Sequence, residues 1–283
     1  MNVSPQAIHH LNCGTMCPRG ARLLTGEGGW LEPARSVCHV LLIEGAEGLV
    51  LVDTGFGLGD VANRRQLGRF FNTAVSPQLH AAETAHAQVI ALGFQPADVR
   101  HIVTTHLDLD HSGGLPDFPE AEVHLLGSEL TAALNPDWRS RTRYIPEHWR
   151  HGPRWVEHEV EGDEWMGFGS VRILPGAGGE ILLIPLPGHT LGHTGVAIRR
   201  GEGWLLHCGD AFFHHGEMQT PPHCPPGLRF FQNINQTDAK RRHENQERLR
   251  ELAARHGGEV ELICSHDPYL LDLHTAEPAP VPA

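Results

Sequence analysis

Short apolar runs recur along the chain and set its first expectation. VCHVLLIEG from Val37, GLVLVDTG from Gly48, HIVTTH from His101, EVHLLG from Glu122 and VRILPG from Val171 each read as a strand. EILLIPLPGH, TGVAIRR, GWLLHCGD and ELICSHD continue the series, and most of these runs end in Gly, His or Asp. Helical periodicity is confined to Pro77–Gly93, to Ser128–Leu134, and to a long segment from Asp238 to His256 with a Gly257-Gly258 stop. The alternation predicts an α/β protein in which two stacked sheets carry helices on their outer faces, within one domain over residues 1–274. A tail over 275–283, TAEPAPVPA, is expected to be disordered.

The segment 138–168 departs from this pattern. It lacks a clear period and holds Trp138, Trp149, Trp155 and Trp165, four of the six tryptophans. It reads as an aromatic-rich insertion. Large rigid aromatics suit a lid or pocket wall, and they suit a packed core or a subunit interface equally well.

Composition narrows the chemistry. With 34 acidic against 22 basic residues the formal charge is −12, which argues against nucleic-acid partners. The sole lysine, Lys240, lies in the charged run DAKRRHENQER, so neither a phosphate-loop lysine nor a Schiff-base lysine has a place. No apolar run approaches the roughly 20 residues of a membrane span. The N-terminus lacks the basic start and apolar stretch of a secretory signal, so the expected compartment is the cytoplasm, with the six cysteines reduced. Cys13 and Cys17 have no second close pair, so a structural or inert role fits them better than a zinc ribbon.

The chemistry concentrates in TTHLDLDHSGG, where His106, Asp108, Asp110 and His111 follow an apolar run within six residues. Alternate residues of an extended segment point the same way, so His106, Asp108 and Asp110 can converge before the glycine pair. Carboxylates crowded together repel one another unless a cation neutralises them, which makes a metal the simplest partner. Alone, the motif leaves a surface acid cluster open. PLPGHTLGHTG then supplies His189 at one run's end, LLHCGDAFF supplies Asp210, and LICSHDP supplies His266.

Together with LVDTG at Asp53–Gly55, and in this order over Val37–Pro268, these motifs resemble those of the metallo-β-lactamase superfamily, most closely its acyl-homoserine lactone lactonase branch and uncharacterised relatives. The resemblance implies an αββα sandwich of two mixed sheets with a binuclear site at one edge. It implies that His106, Asp108 and His189 hold a first divalent ion, that Asp110, His111 and His266 hold a second, and that Asp210 bridges them. Asp53 and His193 would then be supports. The implied reaction is hydrolysis of a small-molecule substrate: one ion polarises a carbonyl, a bridging water of lowered pKa attacks, and Asp110 carries the proton to the leaving group.

Two positions depart from the family pattern. Asp108 stands where histidine is usual, with the same reach to an ion. Zinc is the expected metal, while an oxygen donor keeps iron or manganese open. The extra carboxylate also brings two divalent ions, three aspartates and a bridging hydroxide to neutrality, which favours an uncharged reacting group such as a lactone, ester or thioester. Phe213 stands where lactonases of this type often carry tyrosine. An oxygen-reducing or sulfur-oxidising iron enzyme is the second reading and a non-catalytic metal scaffold the third, and a homodimer is left open. No serine sits in a GxSxG elbow, and GFGLGD has the wrong spacing for a dinucleotide turn.

Overall fold

The computed structural model describes residues 7–173 and 180–275. Strands β1 (Ile8–Met16), β2 (Ser36–Gly45), β3 (Gly48–Val52), β4 (Val99–Val103), β5 (Glu122–Leu126) and β6 (Arg154–His158) form one sheet in that order, antiparallel from β1 to β3 and parallel from β3 to β6. The second sheet takes β7 (Asp163–Trp165), β8 (Phe168–Ile173), β9 (Ile181–Pro185), β10 (Thr194–Arg200), β11 (Gly203–His207) and β12 (Val260–Ile263), with β11–β12 its parallel pair. Both sheets are mixed, and the expected two-sheet architecture is the one observed.

Strand alternation sorts the core into layers. Leu41, Ile43, Val50, Val52 and Val103 point from the first sheet toward Leu183, Val196, Ile198, Leu205 and Ile263 of the second. Leu42, Leu51, Ile102 and Val123 point the other way, under the helices Ala85–Ala91 and Gly127–Leu134. The outer face of the second sheet packs on Leu249 and Leu252 of the helix Ala239–His256, whose start is capped where the Asp238 carboxylate accepts from the Arg241 amide at 3.0 Å.

Several expectations are corrected. The periodic stretch Pro77–Gly93 is α-helical only over Ala85–Ala91, after a 3-10 turn at Ala81–Glu83, because Thr84 caps the α-helix by accepting from the Ala87 amide. β1 and the helix Pro226–Asn235 lay unread, since β1 interleaves its buried Leu11, Cys13, Gly14 and Met16 with half-buried His, Asn and Thr, and the helix buries only Gln232. The segment 138–168 supplies edge strands to both sheets: Trp149 and Trp155 pack on the first core, Trp165 lies inside the second, and only Trp138 is largely exposed. Thr275 ends the helix Pro268–Thr275, and 276–283, the rest of the expected disordered tail, lies outside the described residues. No helix among the described residues is long and apolar enough to cross a membrane.

Candidate metal centre

The loops at the C-terminal ends of β4, β9, β11 and β12 meet at one rim of the sandwich. After β4 the chain runs through Thr104 to His106, and the one-turn helix Leu109–Ser112 swings Asp110 and His111 back over the sheet. This turn nests against the LVDTG loop so closely that a Cβ on Gly57 would stand 2.1 Å from the Gly113 carbonyl oxygen. Backbone contact of that kind, and not a phosphate cradle, accounts for Gly55 and Gly57 of GFGLGD, a Cβ on Gly55 standing 2.3 Å from the Cys13 carbonyl oxygen.

All seven sequence-predicted donors converge there. Asp210 lies between two groups: its Oδ2 is 3.3 Å from His189 Nε2 and 3.9 Å from His106 Nε2, while its Oδ1 is 3.2 Å from His266 Nε2 and 3.4 Å from His111 Nε2. Asp108 Oδ2 completes the first group at 3.0 Å from His189 and 3.5 Å from His106. Asp110 completes the second, 3.6 Å from His266 and 3.9 Å from His111. A tetrahedral ion with bonds of about 2.0–2.1 Å spaces its ligand atoms about 3.3–3.4 Å apart, so both groups have the dimensions of such a shell. His106 Nε2, Asp108 Oδ1 and Asp210 Oδ1 are buried with no hydrogen-bond partner among the described residues. Atoms left in that condition cost free energy unless a cation satisfies them, and the donor set fits a pair of divalent ions.

In His106, His111 and His266 the ring is anchored through Nδ1 so that Nε2 faces the cluster, whereas His189 Nε2 accepts from Arg143 Nη2 at 3.0 Å. His111 Nδ1 donates to Asp53 Oδ2 at 2.8 Å and His266 Nδ1 donates to the Val37 carbonyl at 2.8 Å. Thr105 Oγ1 donates to Asp53, so it accepts from His106 Nδ1 at 3.0 Å. His193 donates from Nδ1 to the Leu186 carbonyl and accepts the Asp210 amide at Nε2, holding the backbone of the straddling aspartate. Outer hydrogen bonds of this type fix tautomer and ring orientation. Asp53 and His193 thus touch the donor residues from behind.

The cluster's electrostatics follow from its crowding. Burial opposes charge on His111, yet the Asp210 and Asp53 carboxylates outweigh it and hold its pKa well above the usual value. Burial and the Arg143 charge bring His189 down to about 4 against the pull of Asp210 and Asp108. Burial would raise Asp108, but Arg143 and then His106 keep it well below the ordinary carboxylate range.

Arg143 is the residue that sequence reasoning missed. Its Nη2 donates to Asp108 Oδ2 at 2.7 Å and its Nη1 to the His189 carbonyl at 3.2 Å, with both charged side chains largely buried. It restores one positive charge, so the count that made the site neutral is incomplete. No sequence signal marked it, because its segment has no period. Glu129 was also missed: it is fully buried and accepts from the Leu107 amide, Tyr144 Oη, Thr190 Oγ1 and the Gly192 amide. A carboxylate beside Leu130 on a buried helix face was the available clue. Cys38, read only as a reduced thiol, places Sγ within 4.8 Å of donor atoms of Asp110 and His266. Phe213 stacks on the His266 ring at 5.0 Å and lies 5.9 Å from that of His189, an apolar wall beside the cluster.

Comparison with known proteins places the chain in a family. Residues 34–262 match the family model described as the metallo-beta-lactamase superfamily. A Mycobacterium tuberculosis protein named "Probable metallo-hydrolase" is 43% identical over 270 residues, covering 95% of this chain and 83% of its own. The N-acyl homoserine lactonase AttM of Azorhizobium caulinodans is 30% identical over 198 residues, 68% of this chain and 67% of its own. Among solved structures, an N-acyl homoserine lactone hydrolase with N-hexanoyl-L-homoserine bound at its catalytic metal center superposes with a TM-score of 0.71 at 20% identity, over 98% of each chain. The chain belongs to the metallo-beta-lactamase superfamily.

Proposed function

We propose that this protein is a binuclear metal-dependent hydrolase that opens a neutral carbonyl compound, a lactone first and an ester or thioester next. The observation that carries the reading is Asp210, whose two oxygens divide between a His106–Asp108–His189 group and a His111–Asp110–His266 group. Two divalent ions held there supply Lewis acidity and a water acidic enough to lose a proton near neutral pH. Zinc suits the tetrahedral spacing, and the three carboxylates also accept iron or manganese.

The chain's own residues do the rest. Asp53, Thr105 and the Val37 carbonyl keep the imidazoles in their ligating tautomer. Asp110 is the most exposed of the three carboxylates, its side chain 14% accessible against 10% for Asp108 and 4% for Asp210. It therefore faces incoming substrate and can take a proton there and pass it to the leaving oxygen. Phe213 offers no hydroxyl to the carbonyl and instead gives the substrate an apolar surface beside His189 and His266. Support for lactones comes from the AttM relative.

The test joins metal analysis of the purified protein to a panel of lactones, esters and thioesters, with chelated protein and Asp210→Asn as controls. Two ions per chain that Asp210→Asn loses, and hydrolysis that disappears on chelation and returns with metal, are expected. Full activity in the metal-free protein would end this reading, as would redox turnover of bound iron without hydrolysis of any member of the panel.

A further inference from the structure

A second cluster of potential ligands lies away from that rim, on the face of β4 and β5 that looks toward the other sheet. His101 pairs in register with Glu122, and His124 sits two residues further along β5, beside Val103. Side chains two residues apart share a face, so all three project together. His101 precedes His106 by five positions in the chain, which puts it up to roughly 16 Å from the binuclear group.

Three separations define the cluster. His101 Nδ1 is 3.1 Å from His124 Nε2, Glu122 Oε2 is 3.6 Å from His101 Nδ1, and the same oxygen is 4.0 Å from His124 Nε2. An N–H···N hydrogen bond between the rings would account for the first distance alone. It does not account for the carboxylate oxygen, which faces both nitrogens from beyond hydrogen-bond range. Around a tetrahedral ion the edges would be about 3.3–3.4 Å, and the observed triangle needs only small side-chain adjustments to reach that size.

The surroundings favour ligation. His124 Nδ1 lies 3.0 Å from His158 Nε2 and can donate to it, which leaves His124 Nε2 as the free nitrogen and supplies the outer partner that ligating histidines ordinarily have. Arg154, the register partner of Glu122 on β6, forms no ion pair with it among the described residues. The Glu122 side chain is 44% exposed, so an ion can enter from solvent and keep a water as its remaining ligand.

We propose that His101, Glu122 and His124 form a separate site for one divalent transition-metal ion, zinc above others, that ties β4 to β5. Two imidazoles and one carboxylate suit zinc and its borderline neighbours better than magnesium or calcium. The site shares no residue with the rim cluster.

The experiment is a titration of tag-free, metal-free protein with Zn²⁺ and with Co²⁺, read as equivalents bound per folded chain and as the visible spectrum of cobalt. Wild type should bind one equivalent more than His101→Ala/Glu122→Gln. Glu122→Gln alone, at an exposed side chain, keeps the fold and should weaken that equivalent by at least about 10-fold, the cost of losing even an outer partner of a metal site. Asp210→Asn should empty the rim while this equivalent persists, which separates the fate of this site from that of the hydrolase reading. Equal stoichiometry and affinity in wild type and the double variant would overturn the assignment.

Discussion

The Asp108–Arg143 pair offers the most exacting check on how the centre is built. The two groups meet at 2.7 Å with side-chain exposures of 10% and 15%, so neither is solvated well enough to be indifferent to losing its partner. Removing one member of a buried pair costs about 3–5 kcal/mol, against about 0–1 kcal/mol for a surface pair. In a chain of this size about 2 °C of Tm accompanies each kcal/mol, so Asp108→Asn and Arg143→Gln should each lower the Tm of the metal-free protein by about 6–10 °C. Metal-free protein is required because a bound ion would offset the loss of either charge. The double variant should lose much less than the two singles together, with a coupling above about 1 kcal/mol from denaturant unfolding. In the loaded protein the sign reverses for one variant: Arg143→Gln removes a cation beside the first ion and should tighten it. Additivity within about 0.5 kcal/mol would refute the argument. It would mean that Arg143 and Asp108 do not act on each other and that the site's charge must be counted without the arginine.

Other outcomes follow from the same packing. Glu129→Ala leaves the Leu107 and Gly192 amides, Thr190 Oγ1 and Tyr144 Oη without their acceptor, at about 1–3 kcal/mol for each buried group. It should cut metal affinity and Tm together although no donor is changed, and a variant with wild-type metal binding would show that Glu129 does not position the loops. Burial lifts Asp117 from 3.8 to about 6, so its contribution to stability is present below pH 3.8 and is lost as pH rises through 6. Asp117→Asn should accordingly raise the Tm at pH 7–8 and not at pH 3.5, and a pH-independent change in Tm would refute the assignment. Trp149→Ala should destabilise by up to about 3 kcal/mol because Trp149 packs on the core, whereas Trp138→Ala at an exposed position should stay within about 0.5 kcal/mol. Equal Tm losses for the two would contradict that placement.

What the sequence alone determined is the layered frame, together with a set of candidate donors that the family resemblance implies. His106, Asp110 and His111 sit at fixed offsets after an apolar strand, and His189, Asp210 and His266 each end or follow another. Local patterning suffices for the strands these residues follow, because a strand's period and its terminating glycine are properties of neighbouring residues, whereas their roles as donors came from the order of motifs the family shares. The split of Asp210's oxygens between two groups, the Nε2-facing rings and the seat of Asp53 behind His111 required the tertiary structure. So did Arg143 and Glu129, for a physical reason: their partners lie 35 and 61 positions away in sequence, at Asp108 and Thr190, and no periodic signal links such positions. The tryptophans of 138–168 make the same point. Their clustering in sequence suggested one shared role, but β6 and β7 carry Trp155 and Trp165 to opposite sheets, and burial of apolar surface in two separate cores decided where those two went.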